Sequence, residues 1–174
     1  MSMDEQEQDE QRQDEQERDE YEQMAVFLQE YVDEHHEFLS WLGLTVDSAG
    51  PGTMTMSIPY DEKLTNQRQE VTTDADHDGR LDIHGGVAAT LIDTVGGIGL
   101  RTTFDDPAST GTATINLNVN YLRPAVGDLR ATANVVRSGS TVGVSEVLVE
   151  SPTPEGELKA VATGQASYRI FRGK

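Results

Sequence analysis

The chain has 174 residues and a formal net charge of −18, from 13 basic and 31 acidic residues. That length suits one domain with room for a leading helix, and a body this acidic repels phosphate backbones, which argues against nucleic-acid binding. Cysteine is absent and no run of 18 apolar residues occurs, which excludes disulfides, a thiolate nucleophile and a membrane-spanning helix; the first residues do not resemble a signal or transit peptide, so a cytoplasmic location is expected.

Residues 1–23 carry 11 acids and 2 arginines, half of the net charge. Residues 1–20 have almost nothing to bury and are expected to be a disordered acidic tail or a frayed helix extension, with a single domain over 21–174. From Tyr21 the pattern changes. Met24, Phe27, Leu28, Tyr31, Val32, His35 and Leu39 recur at spacings of three and four, one face of an amphipathic helix that Gly43 should end. His35 and His36 are adjacent and point different ways, unlike a helical metal pair.

Leu44 to Pro59 reads as two short strands around Ala49-Gly50-Pro51-Gly52, with Met54, Met56 and Ile58 alternating against Thr53, Thr55 and Ser57. Residues 60–82 are polar and without period, and a loop that long in a compact domain is usually functional or mobile. Val87, Leu91, Ile92, Val95 and Ile98 then recur at helical spacing in a segment that is small or apolar on most sides, as a buried helix is. The final third is strand. Ile115, Leu117, Val119 and Tyr121 alternate with Thr114, Asn116, Asn118 and Asn120, which puts Thr114 on the polar face. Strands over 129–137, 142–150 and 158–171 follow, separated by turns. Long antiparallel strands around one buried helix imply an α+β domain in which a curved sheet wraps that helix.

Asp93 is the only charged residue of the apolar helix before Arg101. An unpaired buried carboxylate costs several kcal/mol, so Asp93 must bond to nearby hydroxyls, face a cleft or sit at a subunit interface. Burial would raise its pKa, which suits a general base. At the start of the helix, His84-Gly85-Gly86 lets another molecule approach the backbone closely. The outward N–H groups of a helix N-terminus suit an oxyanion such as a thioester carbonyl under attack. A turn needing glycine for sterics alone has the same sequence.

The segment Ile83-His84-Gly85-Gly86-Val87-Ala88-Ala89-Thr90-Leu91-Ile92-Asp93 resembles the signature of hotdog-fold acyl-CoA thioesterases, in particular the phenylacetate-degradation branch. Residues 114–125, Gly127-Asp128 and Lys159 to Gly164 extend the resemblance over roughly 38–171. It implies that two chains join their sheets and share active sites across the interface. Gly85 N–H would polarise the thioester carbonyl. Asp93 of the partner chain would activate water or attack directly. His84 would position the carbonyl or the loop, and Thr114 would help hold the water. Gly86 would lie against the substrate, and Arg123, Arg137 and Gly139 would lie near the phosphates of coenzyme A. A homodimer or homotetramer acting on acyl-CoA is implied, with no metal or organic cofactor.

The sequence also departs from the pattern. The family often has an asparagine six residues before the histidine, where Asp78 stands here, so either Asp78 takes that role or a longer loop returns Asn66 to it. Ser140 stands where a basic residue is common. Asp74 to Asp82 matches nine places of a calcium loop, but Gly85 occupies the twelfth, where a bidentate acid is needed. A hotdog hydratase would want an Asp and a His five apart with Asn-Pro between, which this chain lacks. The rival of a different class is a non-catalytic acyl-CoA-binding module, which has little reason to keep a costly acid. Pocket depth is expected to depend on Phe38, Trp41 and Leu42. High acid, only three lysines (Lys63, Lys159, Lys174) and 36% hydrophobic residues match the composition of salt-loving cytoplasms, where screening removes self-repulsion.

Overall fold

A computed structural model describes residues 3–66, 81–107 and 109–172. In chain order it contains α1 (Met3–His35), α2 (Glu37–Leu42), β1 (Thr45–Gly50), β2 (Thr53–Ile58), a short 3₁₀ turn (Glu62–Leu64), α3 (Gly85–Arg101), β3 (Gly111–Tyr121), β4 (Leu129–Ser138), β5 (Val142–Pro152) and β6 (Leu158–Phe171). The strands form one sheet in the order β1-β2-β4-β5-β6-β3, and every neighbouring pair is antiparallel. The sheet curves around α3, which is the expected hotdog architecture with an added N-terminal helix.

α3 is central because it is apolar nearly all round. Leu91, Ile92 and Val95 are fully buried against Met54, Met56, Ile58, Leu129, Ala131, Ala133 and Val149 of the sheet, and Leu100 is fully buried with Ala166, Tyr168 and Ile170. The helix lies close to β6 because Gly164 has no side chain: a Cβ there would come within 2.6 Å of Ile92 Cγ2 and 3.0 Å of the Asn118 carbonyl oxygen. Gly164→Ala is therefore expected to cost about 1–3 kcal/mol by overpacking. A urea melt in high salt reads this as a lower midpoint, and an unchanged midpoint would mean that the helix can move away freely.

α1 covers less than its periodicity implies. Leu28 and Val32 are buried, with Leu39 and Leu42 of α2, but Phe27 is 59% and Tyr31 47% exposed, and His35 is exposed. Among the described residues the helix meets the sheet mainly along β1, so one row at spacing four is covered and its flank is not. Gln29 fastens it to that edge strand: the Val46 N–H donates to Gln29 Oε1 at 2.7 Å, in place of a neighbouring strand. Helix α2 ends at Gly43, whose φ of 73° is left-handed. This turns the chain so that Gly43 N–H meets the Ser40 carbonyl (2.9 Å) and Leu44 N–H meets that of Leu39 (3.1 Å).

One feature of β3 overturns the simple alternation. Its pairing with β6 shifts between Thr114 and Asn116, leaving Ile115 as an extra, exposed residue. Thr112 and Thr114 pair with the inward Ile170 and Tyr168, while beyond the bulge Leu117 and Val119 pair with the inward Ala166 and Gly164. Thr114 therefore shares the helix-facing side with Leu117, not the polar face with Asn116.

Candidate active site

The His84-Gly85 segment is held from two sides. Ile83 N–H donates to the Ala125 carbonyl (2.8 Å) and His84 N–H to that of Leu64 (2.8 Å). A bridge between Thr65 and Ile83, with Asn66 N–H donating to the Asp82 carbonyl (2.9 Å), closes the long loop at its base. Asn66 is thereby brought beside the start of α3. A cavity of about 360 Å³ opens here, lined among others by Asn66, Asp82, His84, Gly85, Tyr121 and Arg123.

His84 is the N-cap of α3, and its Nδ1 accepts the Gly86 N–H at 2.9 Å. With Nδ1 accepting, a neutral His84 carries its proton on Nε2. Gly86 N–H is thus occupied, whereas Gly85 N–H has no partner among the described residues. Tyr121 Oη donates to the Gly85 carbonyl (3.1 Å), and its ring lies so close that a Cβ on Gly85 would sit 3.0 Å from Cε1. The Gly85–Gly86 peptide is thus held at both ends, and the preceding His84–Gly85 peptide, whose carbonyl accepts from Val87 N–H (2.9 Å), points a Gly85 N–H that meets no acceptor among the described residues.

Asp93 lies two turns further along. It is half-buried rather than buried, so the apolar helix does not remove it fully from solvent. Thr114 Oγ1 donates to Asp93 Oδ1 at 2.7 Å. The bulge at Ile115 makes this bond possible by turning Thr114 toward the helix. Tyr168 Oη donates to the Asp93 backbone carbonyl at 3.0 Å, and the Tyr168 phenol is pushed above its ordinary range, first by burial and then by the Asp93 carboxylate.

Gly85 and Asp93 are eight residues apart on one helix, roughly 12 Å along its axis at 1.5 Å per residue. A carbonyl carbon and its oxygen are only about 1.2 Å apart. Within one copy of α3 the two groups stand about two turns apart. β3, which carries Thr114, is an edge strand of the sheet.

Of the other sequence candidates, Arg123 lines the cavity, while Arg137 and Gly139 do not and lie at the end of β4 and in the turn after it. Asp78 and residues 74–80 of the acidic loop lie outside the described residues. Among the described residues no group of three or more His, Asp or Glu could hold a metal ion. Leu42 is core, Phe38 and Trp41 are exposed, and none of the three lines the cavity. Tyr121, Asp82 and Tyr168 are the site residues that sequence reasoning missed. A tyrosine alternating in a strand carries no sign of which helix peptide its hydroxyl will reach.

Residues 82–157 match the model of the Thioesterase superfamily. A Halobacterium salinarum protein named "Putative esterase" is 50% identical over 150 residues, covering 85% of this chain and 93% of that protein. The human protein named Acyl-coenzyme A thioesterase 13 is 29% identical over 129 residues, covering 73% of this chain and 79% of its own. The crystal structure of a thioesterase family protein from Silicibacter pomeroyi superposes with a TM-score of 0.68 at 26% identity, covering 81% of this chain and 93% of that one. Half the residues shared with a relative of nearly equal extent, on a sheet wrapped around an apolar helix, place this chain in the thioesterase superfamily.

Proposed function

We propose that this protein is an acyl-CoA thioesterase of the phenylacetate-degradation type, hydrolysing an acyl- or aryl-CoA to the carboxylate and free coenzyme A. The observation that carries the reading is the pair of groups on α3: a Gly85 N–H at its start with no partner among the described residues, and a carboxylate at Asp93 steadied by Thr114. Their separation calls for two chains. With β3 edges joined in a homodimer, Asp93 and Thr114 of one chain meet Gly85 of the other, and paired dimers make the tetramer.

Asp93 takes a proton from water as the water oxygen bonds to the thioester carbon, or attacks that carbon itself to give an acyl–aspartyl anhydride that water then hydrolyses. The carbonyl oxygen becomes an oxyanion on Gly85 N–H. The carbon–sulfur bond then breaks, and the thiolate leaves and is protonated. His84 holds the helix start through Gly86 N–H, so Gly86 supports this geometry rather than donating to substrate. Asn66, from its place in the cavity, takes the family asparagine role in preference to Asp78 and orients the thioester carbonyl. Arg123, which lines the cavity, meets a coenzyme A phosphate, whereas Arg137 and Gly139 lie away from it and would meet only a more distant part of coenzyme A. The protein works in a salt-rich cytoplasm, where a Debye length of about 3 Å at 1 M salt lets an anionic substrate approach an anionic enzyme.

Thiol release from a panel of aliphatic and aromatic acyl-CoAs in multimolar potassium chloride, alongside sedimentation, tests this. Turnover of one acyl class by a dimer or tetramer is expected. Tight binding without thiol release on any thioester would replace the enzyme by a binding module. Full activity in a monomer would remove the shared site.

A further inference from the structure

The turn of α3 that carries Asp93 is intrinsically weak. Gly96, Gly97 and Gly99 follow within six residues, and glycine is a poor helix former. Two side chains from the sheet hold this turn. Tyr168 of β6 donates to the Asp93 carbonyl (3.0 Å), and Ser145 of β5 donates to that of Gly96 (2.9 Å). Both residues are buried, at 1% and 0% exposure. The Tyr168 ring fills the space the glycines leave: a Cβ on Gly96 would collide with its hydroxyl, and one on Gly97 would lie 3.0 Å from Cε1. Phe and Ala would serve packing alone without bringing hydroxyls into an apolar core, where each must find a partner. Here the partners are carbonyls of the turn that carries the acid, each of which has a second lone pair to accept with. Tyr168 is also the register partner of Thr114, whose hydroxyl holds the Asp93 carboxylate.

We propose that Tyr168 and Ser145 are positioning residues for Asp93: from β6 and β5 they pin the glycine-weakened turn of α3 so that the carboxylate meets Thr114 of β3. This rests on the proposed role of Asp93. Three adjacent strands thus fix both ends of the acid, the main chain through Tyr168 and the side chain through Thr114. The packing of the phenol against α3 sets the rotational phase of the helix, and a phase error of 1 Å at the carboxylate would break the 2.7 Å bond.

Steady-state kinetics on the full chain, in high salt and with the best acyl-CoA of the panel, test this. Tyr168→Phe is expected to lower kcat about tenfold with KM unchanged, less than the roughly 100-fold that a 1 Å misplacement can cost. In a Thr114→Ala background the same change should lower kcat less than about threefold, because residues acting through one contact are not additive. An equal fall in both backgrounds, or a loss that appears in KM, would show a general packing role and overturn the proposal. Ser145→Ala, expected to lower kcat about threefold through the same turn, decides the matter if Tyr168→Phe does not fold; an unchanged kcat then overturns it. Asp93→Asn in the same series separates the two levels. If that variant keeps full activity, the role of Asp93 and the proposal fall together. If it is inactive while Tyr168→Phe and Ser145→Ala keep wild-type kcat, only the positioning role falls.

Discussion

Asp93→Asn is expected to lower kcat about a thousandfold, within the 10²–10⁴ that a positioned general base supplies, while KM and thermal stability change little. The reason is in the geometry. An asparagine has the same shape, and its Oδ1 can still accept from Thr114 Oγ1, which now meets Asp93 Oδ1 at 2.7 Å. The half-buried position removes no core contact. The change therefore deletes only the basicity or nucleophilicity of the acid. Steady-state thiol release and a thermal melt in the same buffer measure both sides. A kcat within twofold of wild type would leave Asp93 as a structural partner of Thr114 and nothing more.

The second large effect is restored activity from two inactive chains. Gly85→Pro removes the N–H proposed as oxyanion donor. Proline is well suited to the first position of a helix, and His84 before it already has φ −60° and ψ 130°, the extended region that a residue preceding proline prefers. The ring would crowd Tyr121, whose side chain must swing aside to admit it. Gly85→Pro and Asp93→Asn should each be nearly inactive alone. Unfolded and refolded together, they should recover about a quarter of wild-type activity, because half of randomly mixed dimers are heterodimers and each of those has one intact site. No recovery, with heterodimers shown to form, would mean that Gly85 and Asp93 serve the same chain or that one of them does not serve catalysis.

Much of this molecule is legible in one dimension because the physics there is local. The apolar period of α3, the glycine that ends α2, and the turns between β4, β5 and β6 depend on residues a few places apart, and the strands lie where alternation puts them. His84, Gly85 and Asp93 stand out for the same reason: a cap, a helix start and a lone acid on an apolar helix are neighbours along the chain. What the tertiary structure decided rests on pairings between distant segments. The bulge at Ile115 inserts one residue into β3 and so turns Thr114 toward Asp93, and nothing in the strand's own composition marks it. Asn66 comes to Gly85 because hydrogen bonds between 65–66 and 82–83 close the base of a long loop. Phe27 and Tyr31 share the apolar row of α1 yet stay exposed, since that helix meets the sheet mainly along the edge strand β1. Tyr121 and Tyr168 reach carbonyls of α3 from strands 36 and 75 residues away in sequence. A residue's own pattern determines which element it joins; which side of a sheet it faces after a bulge, and which distant peptide it touches, depends on the register that the whole sheet settles into around α3.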